Sequence, residues 1–339
     1  MPDPIDPSKT IIFTDHDWQS DWYDTALYHK EYIGINGGNQ NMKYAASIGY
    51  LGDEGMVAMS KYKLFTMHGN TSFKIVDGLE ASTTFDFSNA IKNPLTGDYF
   101  ACLGRGLMMS PTHIGKYTDG TFATGGTNKN QQSAEFYETF YDRETVRNKF
   151  MGTMNLKWSP VNWFDITAQY TIYDENYRGS YYAYGEVNGT PNYVSTTRST
   201  TETRTQTMRH DAQIFAVLKK DWNEHRFDAT VGADYTYWRY WYLNASNTGS
   251  LSDKVPLLQS GGTNTAGTMD MSNKDYAQAL LSFFARASYN YADRYVLSAT
   301  FRADGSSRFA RKNSKGKNAR WGLFPSAAIA WKFNETFFS

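Results

Sequence analysis

The chain has 339 residues, of which 16% are aromatic (25 Tyr, 21 Phe and 9 Trp), and its 34 basic and 34 acidic side chains cancel. That balance leaves no basic excess to neutralise phosphate, which argues against a nucleic-acid binder. The one cysteine, Cys102, rules out an internal disulfide and a four-thiolate zinc site and reads as a bystander.

The first residues, MPDPIDPSKT, lack the positive n-region and apolar h-region of a secretory signal, and no later segment holds the ~20 apolar residues of a transmembrane helix. What the chain does hold is period two. In order along the sequence, strands are expected at roughly 28–37, 42–51, 62–76, 79–89, 146–158, 163–177, 203–219, 225–243, 276–291, 294–305 and 320–333. Each has one apolar side. Leu79, Ala81, Thr83, Phe85 and Phe87 oppose Glu80, Ser82, Thr84 and Asp86, and Phe164, Ile166, Ala168, Tyr170 and Ile172 oppose Asp165, Thr167 and Gln169. The same split separates His210, Ala212, Ile214, Ala216 and Leu218 from Asp211, Gln213 and Lys219, and Phe227, Ala229, Val231, Ala233 and Tyr235 from Asp228, Thr230 and Asp234. In the last strand Trp321, Leu323, Pro325, Ala327, Ile329, Trp331 and Phe333 form a single stripe. No segment reads as a helix.

Strands this long exceed the five or six residues usual in a soluble sheet, and they match the roughly nine to eleven residues of a tilted membrane strand. The connections alternate in the same sense. GGNQN, VDG, SPVN, DWNE and ADR are tight, whereas the stretches near 90–145, 178–202, 244–275 and 306–319 are long. Short turns at one end and long loops at the other are the signature of an outer-membrane barrel, periplasmic turns opposing extracellular loops. Lipid offers no hydrogen-bond partners, so spanning strands must pair into a closed wall. The expected fold is therefore all-β: part of a transmembrane, antiparallel, up-and-down β-barrel, with residues 1–339 in one barrel domain. Eleven is an odd count, and bacterial barrels carry an even one. A further strand over Lys9 to Thr14 would mend the parity; otherwise the chain reads as a piece of a larger wall.

Two segments carry a resemblance. FRADGSSRF, a short basic insert and RWGLFPSAAIAW, from Phe301 to Trp331, resemble a barrel segment of the SusC/RagA-like TonB-dependent outer-membrane transporters. SDWYD at 20–24, followed by INGGNQNMKYAASIGYLGDEGMV at 35–57, is similar to another segment of the same family, in the same order. The resemblance implies a 22-stranded barrel in the bacterial outer membrane, filled by a plug domain that this sequence does not hold. It further implies a SusD-like lipoprotein lid, energy from TonB-ExbB-ExbD through an N-terminal region absent here, and import of an oligosaccharide or a peptide. On that reading the chain is a transporter fragment, not transport-competent alone and not an enzyme. The alternatives are a complete small porin or adhesin barrel, and a soluble β-sandwich that binds glycans.

Candidate substrate contacts are the aromatics Tyr181, Tyr182 and Tyr184 in RGSYYAYGEVNG and Trp238, Tyr240 and Trp241 in YWRYWYLN, read as loop residues. Sugar rings present apolar C–H faces that stack on such side chains. The competing reading assigns them to the outer aromatic girdle. Arg286, Arg302, Asp304 and Arg308 are candidates to face the lumen or a plug, and pairing among themselves is the plainer role for such charges. Asp15, His16 and Asp17 lack a third cluster to complete a metal site, so they read as surface polar residues; GRG at 104–106 lacks the context of a dinucleotide site. No cofactor is expected.

Overall fold

The computed structural model describes residues 1–3, 7–13, 15–94, 104, 108–123, 134–184, 198–249, 253, 254, 256–258, 269–309 and 320–333. Eleven strands lie in one sheet in strict chain order, each paired antiparallel with its sequence neighbours. They are β1 (Tyr28–Gly38), β2 (Met42–Glu54), β3 (Lys61–Val76), β4 (Leu79–Asn93), β5 (Tyr141–Val161), β6 (Phe164–Ala183), β7 (Ser199–Trp222), β8 (His225–Thr248), β9 (Met269–Tyr291), β10 (Tyr295–Ser306) and β11 (Trp321–Trp331). Among its described residues, 9–13, the Lys9 segment forms no twelfth strand, and Thr10 makes an isolated bridge to Pro2; Thr14 lies outside the described residues.

Register aligns the apolar sides into one continuous surface. Phe164, Ile166, Ala168 and Tyr170 of β6 stand opposite Leu218, Ala216, Ile214 and Ala212 of β7 and opposite Trp158, Leu156 and Met154 of β5. The row continues through Val231 of β8, Ala285 of β9, Phe301 of β10 and Pro325 of β11. These side chains do not meet a second sheet. Ile214 is 54%, Val231 59% and Ile329 82% exposed, which rules out a sandwich whose stripes face each other across a dry interior. An apolar band this wide has lipid as its solvent. From Phe164 to Ile172 the outward stripe of β6 spans roughly 19 Å at a rise of about 3.3 Å per residue and a tilt near 45°, most of the ~25 Å of a barrel's apolar belt.

The strands do not stop where the stripe stops. β5 to β9 run 21, 20, 24, 24 and 23 residues, about twice what a crossing needs. Past the band their outward positions turn polar and pair with each other. Gln206 donates to Asp174 (2.9 Å), Arg178 meets Glu144 (3.3 Å) and Arg239 clamps Asp275 (2.6 Å). The backbone ladder thus continues into a polar rim, and sequence periodicity marks only the greasy part of each strand.

Tight turns close the other end. Gly78, between β3 and β4, has φ +78°, and a side chain there would meet the Ser159 carbonyl oxygen at 2.6 Å, so the turn needs glycine.

Among the described residues, the buried apolar clusters sit not in the sheet but in a small cap at its long-loop end. Ile11, Ile114, Tyr117 and Ala123 form one group, Trp22 and Ala134 a second, and Phe122, Phe136 and Phe140 a third. Here the structure corrects the expectation of no helix: Ala134–Phe140 is helical (α1). Phe136 and Phe140 lie four residues apart, on one helical face, and both are buried. Two turns are too few to show period 3.6 in the sequence.

Candidate functional site: the polar wall and its rim

Every residue one position from the lipid stripe lies on the opposite face. On β8 this face carries Thr236, Trp238, Tyr240 and Tyr242, and on β9 Lys274, Tyr276 and Gln278. Trp238 and Tyr240 stack at 6.2 Å, and Tyr276 closes the group at 5.3 Å from Trp238 and 5.2 Å from Tyr240. The Arg308 guanidinium lies 5.9 Å from the Tyr276 ring, and Lys274 lies 5.7 Å from that of Tyr242. A concavity of about 590 Å³ opens beside Trp238, lined on its polar side by Thr207, Arg209, Asp211, Thr236 and Gln278. Asp211 accepts hydrogen bonds from Arg209 (3.0 Å) and Thr236 (2.7 Å), which holds those donors in place. Flat rings next to fixed donors and acceptors can stack an apolar ring face while bonding its hydroxyls or amides.

The sequence candidates are distributed differently from a single loop cluster. Tyr181 and Tyr182 belong to β6, and Trp238, Tyr240 and Trp241 to β8, so five of the six lie in strands. Alternation then separates neighbours. Tyr181 shares the polar wall with Trp238 and Tyr240, stacked on Tyr141 at 6.3 Å. Trp241 has the opposite parity and stands on the outer side, with Gln206, Met208 and Arg239. Tyr182 is 4% exposed and donates to Asp253 (3.2 Å), whose carboxylate also takes two bonds from Arg198. Tyr182 thus ties the β8–β9 connection down. Tyr184 packs edge-on to Tyr182 at 4.8 Å and against the Phe136 cluster, and burial pushes its phenol up.

Arg286, Arg302 and Asp304 take the parity of the polar wall. Arg302 binds Asp304 (2.7 Å) and reaches Asp234 (4.0 Å) across Ser282, the residue that register places between the two carboxylates. Arg286 has no ion pair among the described residues. Sequence reasoning missed Tyr276 and a cluster around Glu175 on β6. Glu175 accepts from the Tyr173 hydroxyl (2.7 Å) and lies 3.3 Å from Lys149 and 3.9 Å from Arg147. The parity of β5 and β6 held that signal, since Arg147, Lys149, Tyr173 and Glu175 all fall on the polar side of the expected strands 146–158 and 163–177.

Over the rim, the cap encloses a cleft of about 800 Å³ whose wall includes His16, Trp18, Glu54, Lys61, Lys116 and Glu138. His16 bonds Asp21 (2.9 Å), a partner outside the acidic pair that flanks it. Asp119 anchors the cap through Lys9, and this hydrogen bond, with two more from Thr121, holds its carboxyl well below the usual carboxylate range. A carboxylate depressed on folding stabilises the fold above its unfolded pKa, and the contribution is lost only as pH falls through the lower, folded value. Because the pair is solvent-exposed the effect is small. Asp119→Asn is expected to raise proteolytic nicking of the cap modestly at neutral pH, and to abolish the further rise that the parent shows only in strong acid; gel analysis of timed digests reads both.

No family model matches the chain. Two curated relatives align along almost all of it: the TonB-dependent receptor SusC of Bacteroides thetaiotaomicron (26% identical, 94% of this chain) and the TonB-dependent receptor P26 of Formosa agariphila (24% identical, 99% of this chain). The RagAB peptide importer in its open-open state superposes with a TM-score of 0.80 at 22% identity, covering 97% of this chain and 36% of that one. This chain resembles SusC-type receptors in sequence and shares the fold of their barrel wall. It spans about a third of its curated relatives' length, 32% of SusC and 33% of P26. The pyoverdine receptor FpvA shares the fold more distantly, with a TM-score of 0.56 at 11% identity over 90% of this chain. In a SusC-like barrel the apolar face of the sheet meets lipid, and the wall that bears Trp238, Tyr240 and Tyr276 is the luminal one.

Proposed function

We propose that this wall belongs to a TonB-dependent importer, and that Trp238, Tyr240 and Tyr276 form a platform on which an oligosaccharide, or failing that a peptide, stacks on its way through the lumen. The observation that carries the reading is the position of three rings in mutual contact, two of them stacked, on the luminal side of a lipid-facing strand pair, beside a concavity lined in part by polar side chains. Rings at 5 to 6 Å spacing on rigid strands lose little freedom on binding. The printed description of RagAB as a peptide importer keeps the peptide alternative open. The long connections are read as extracellular, the tight turns as periplasmic. A SusD-like lipoprotein would cover the long-loop end, and TonB-ExbB-ExbD would act through a region outside this sequence.

Uptake by cells making the importer to which this wall belongs tests the reading, with labelled neutral oligosaccharides, uronic-acid oligosaccharides, neutral peptides and acidic peptides as probes. Trp238→Ala is expected to lower uptake of the transported class about tenfold, the worth of one lost stacking contact of ~1 to 1.5 kcal/mol, with outer-membrane levels unchanged. Parental uptake in the variant, or no uptake of any probe by the parent, overturns it.

A further inference from the structure

We infer that the tight-turn end of β8 to β11 holds a site for one zwitterionic phospholipid, its acyl chain in a groove on the apolar face and its headgroup, an ammonium and a phosphate, between two turns. Two concavities meet there. The first, of about 530 Å³, is walled on the lipid side by His225, Tyr289, Tyr291, Tyr295, Leu297 and Ile329. Register sets these in two rows: His225, Tyr291 and Tyr295 in one and, a step nearer the middle of the band, Tyr289, Leu297 and Ile329 in the other. The next row inward is Ala229, Ala287, Ala299 and Ala327, so an acyl chain leaving the groove crosses short side chains. The second concavity, of about 380 Å³, lies between the β7–β8 and β9–β10 turns and is lined by Asp221, Asn223, Glu224, Arg226, Ala292 and Asp293. His225 lines both, which makes them one amphipathic site. An aromatic girdle accounts for the rings of the first, but not for a polar concavity that opens from the same histidine.

The polar part offers partners of both signs. The His225 ring is fixed by the Tyr289 hydroxyl at Nδ1 (2.5 Å) and by stacking on Trp222 at 5.4 Å, so Nε2 is the nitrogen left to face a headgroup. Arg226 lies 3.7 Å from Asp221 and 3.5 Å from Asp293, longer than the ~2.7–2.9 Å of a closed charge-assisted bond, so its guanidinium keeps N–H groups for a phosphate. Glu224 has no ion pair among the described residues, and Asn290 donates to Asp293 (2.9 Å) and orients it. The two turns are locked side by side. The Ala292 N–H donates to the Glu224 carbonyl (2.7 Å), and Ala292 and Asp293 hold φ of +54° and +52°, a left-handed conformation that an alanine adopts at a cost. On these turns and the adjoining strand ends together, Lys219, Lys220, Arg226, Arg294 and Lys332 stand against Asp221, Glu224, Asp228 and Asp293. That near balance gives an anionic lipid little net attraction. Within the concavity itself, carboxylates surround one guanidinium, an arrangement that suits an ammonium beside a phosphate. A primary ammonium has N–H groups to give those carboxylates, and a quaternary one has none.

The test uses the whole importer to which this wall belongs, purified in detergent and given phosphatidylethanolamine, phosphatidylcholine or phosphatidylglycerol of matched chains, with retained lipid counted by native mass spectrometry. The parent is expected to retain a further copy of phosphatidylethanolamine beyond what it retains of either other lipid. Asp221→Asn/Asp293→Asn, chosen because asparagine tolerates the left-handed backbone at position 293, should weaken that copy about tenfold and leave phosphatidylcholine unchanged. Glu224→Gln, which breaks no ion pair among the described residues, should weaken it as well, and it decides the matter if the double variant folds poorly. Equal retention of the three lipids, or a preference for phosphatidylglycerol, overturns the site. So does parental retention by a well-folded double variant, or by Glu224→Gln where the double variant folds poorly. None of these outcomes bears on the import reading, which concerns the opposite face of the sheet.

Discussion

Ile214→Arg is expected to empty the outer membrane of the protein, while Gln213→Arg, one residue away, leaves it in place. Ile214 lies mid-band on β7 between Ala168 of β6 and Ala233 of β8, and its side chain is 54% exposed to the surface that lipid covers. An arginine near the bilayer midplane on that face costs about 2–4 kcal/mol, a large share of a typical fold's stability, and slows assembly in proportion. Gln213 points the other way, between Gln169 and Asp234, where a cation meets water and a carboxylate. The ratio of folded, heat-modifiable protein in the two variants measures the difference. Equal levels would show that the two faces have the same solvent, which no barrel allows.

Gly232→Val should be the most damaging substitution on the luminal side of the band. A Cβ at Gly232 would stand 2.5 Å from the Phe284 ring, 2.7 Å from the Ile214 carbonyl oxygen and 2.7 Å from the Phe215 Cβ. A ring can rotate away, but the neighbouring strand's carbonyl is fixed in the ladder, so β7 and β8 must separate locally. Overpacking of this kind costs about 1–3 kcal/mol. Ala233→Val, on the lipid side, adds similar volume into a fluid that yields. The temperature at which each variant loses its folded gel mobility should fall well below the parent's for Gly232→Val and stay close to it for Ala233→Val.

Together these two contrasts probe a wall one side chain thick on each face. The same property explains why the buried clusters sit in the cap, where Trp22, Phe136 and Phe140 are shielded by protein. In the band, lipid does the shielding that a second sheet would do elsewhere. It also explains the polar collar above it: Asp174, Gln206, Arg239 and Asp275 take outward positions only where the strands leave the apolar layer.

The sequence by itself determined the strands, their order and which side of each is greasy, because side chains alternate strictly along a strand and lipid enforces the alternation residue by residue. It also determined the split between tight turns and long connections, and through FRADGSSRF and INGGNQN the likeness to SusC-type receptors. Where the outward side turns polar that signal fades, so β5 to β9 proved longer than periodicity could tell, and α1, only two turns long, left no period to detect. Only the tertiary structure decided which aromatics act together. Trp238 and Trp241 look alike in YWRYWYLN, yet register sends one into the lumen beside Tyr276, thirty-eight positions away, and the other to the outer rim. Cross-strand pairing joins residues far apart in the chain, and although an up-and-down order makes chain neighbours pair, no local pattern encodes the register at which they meet.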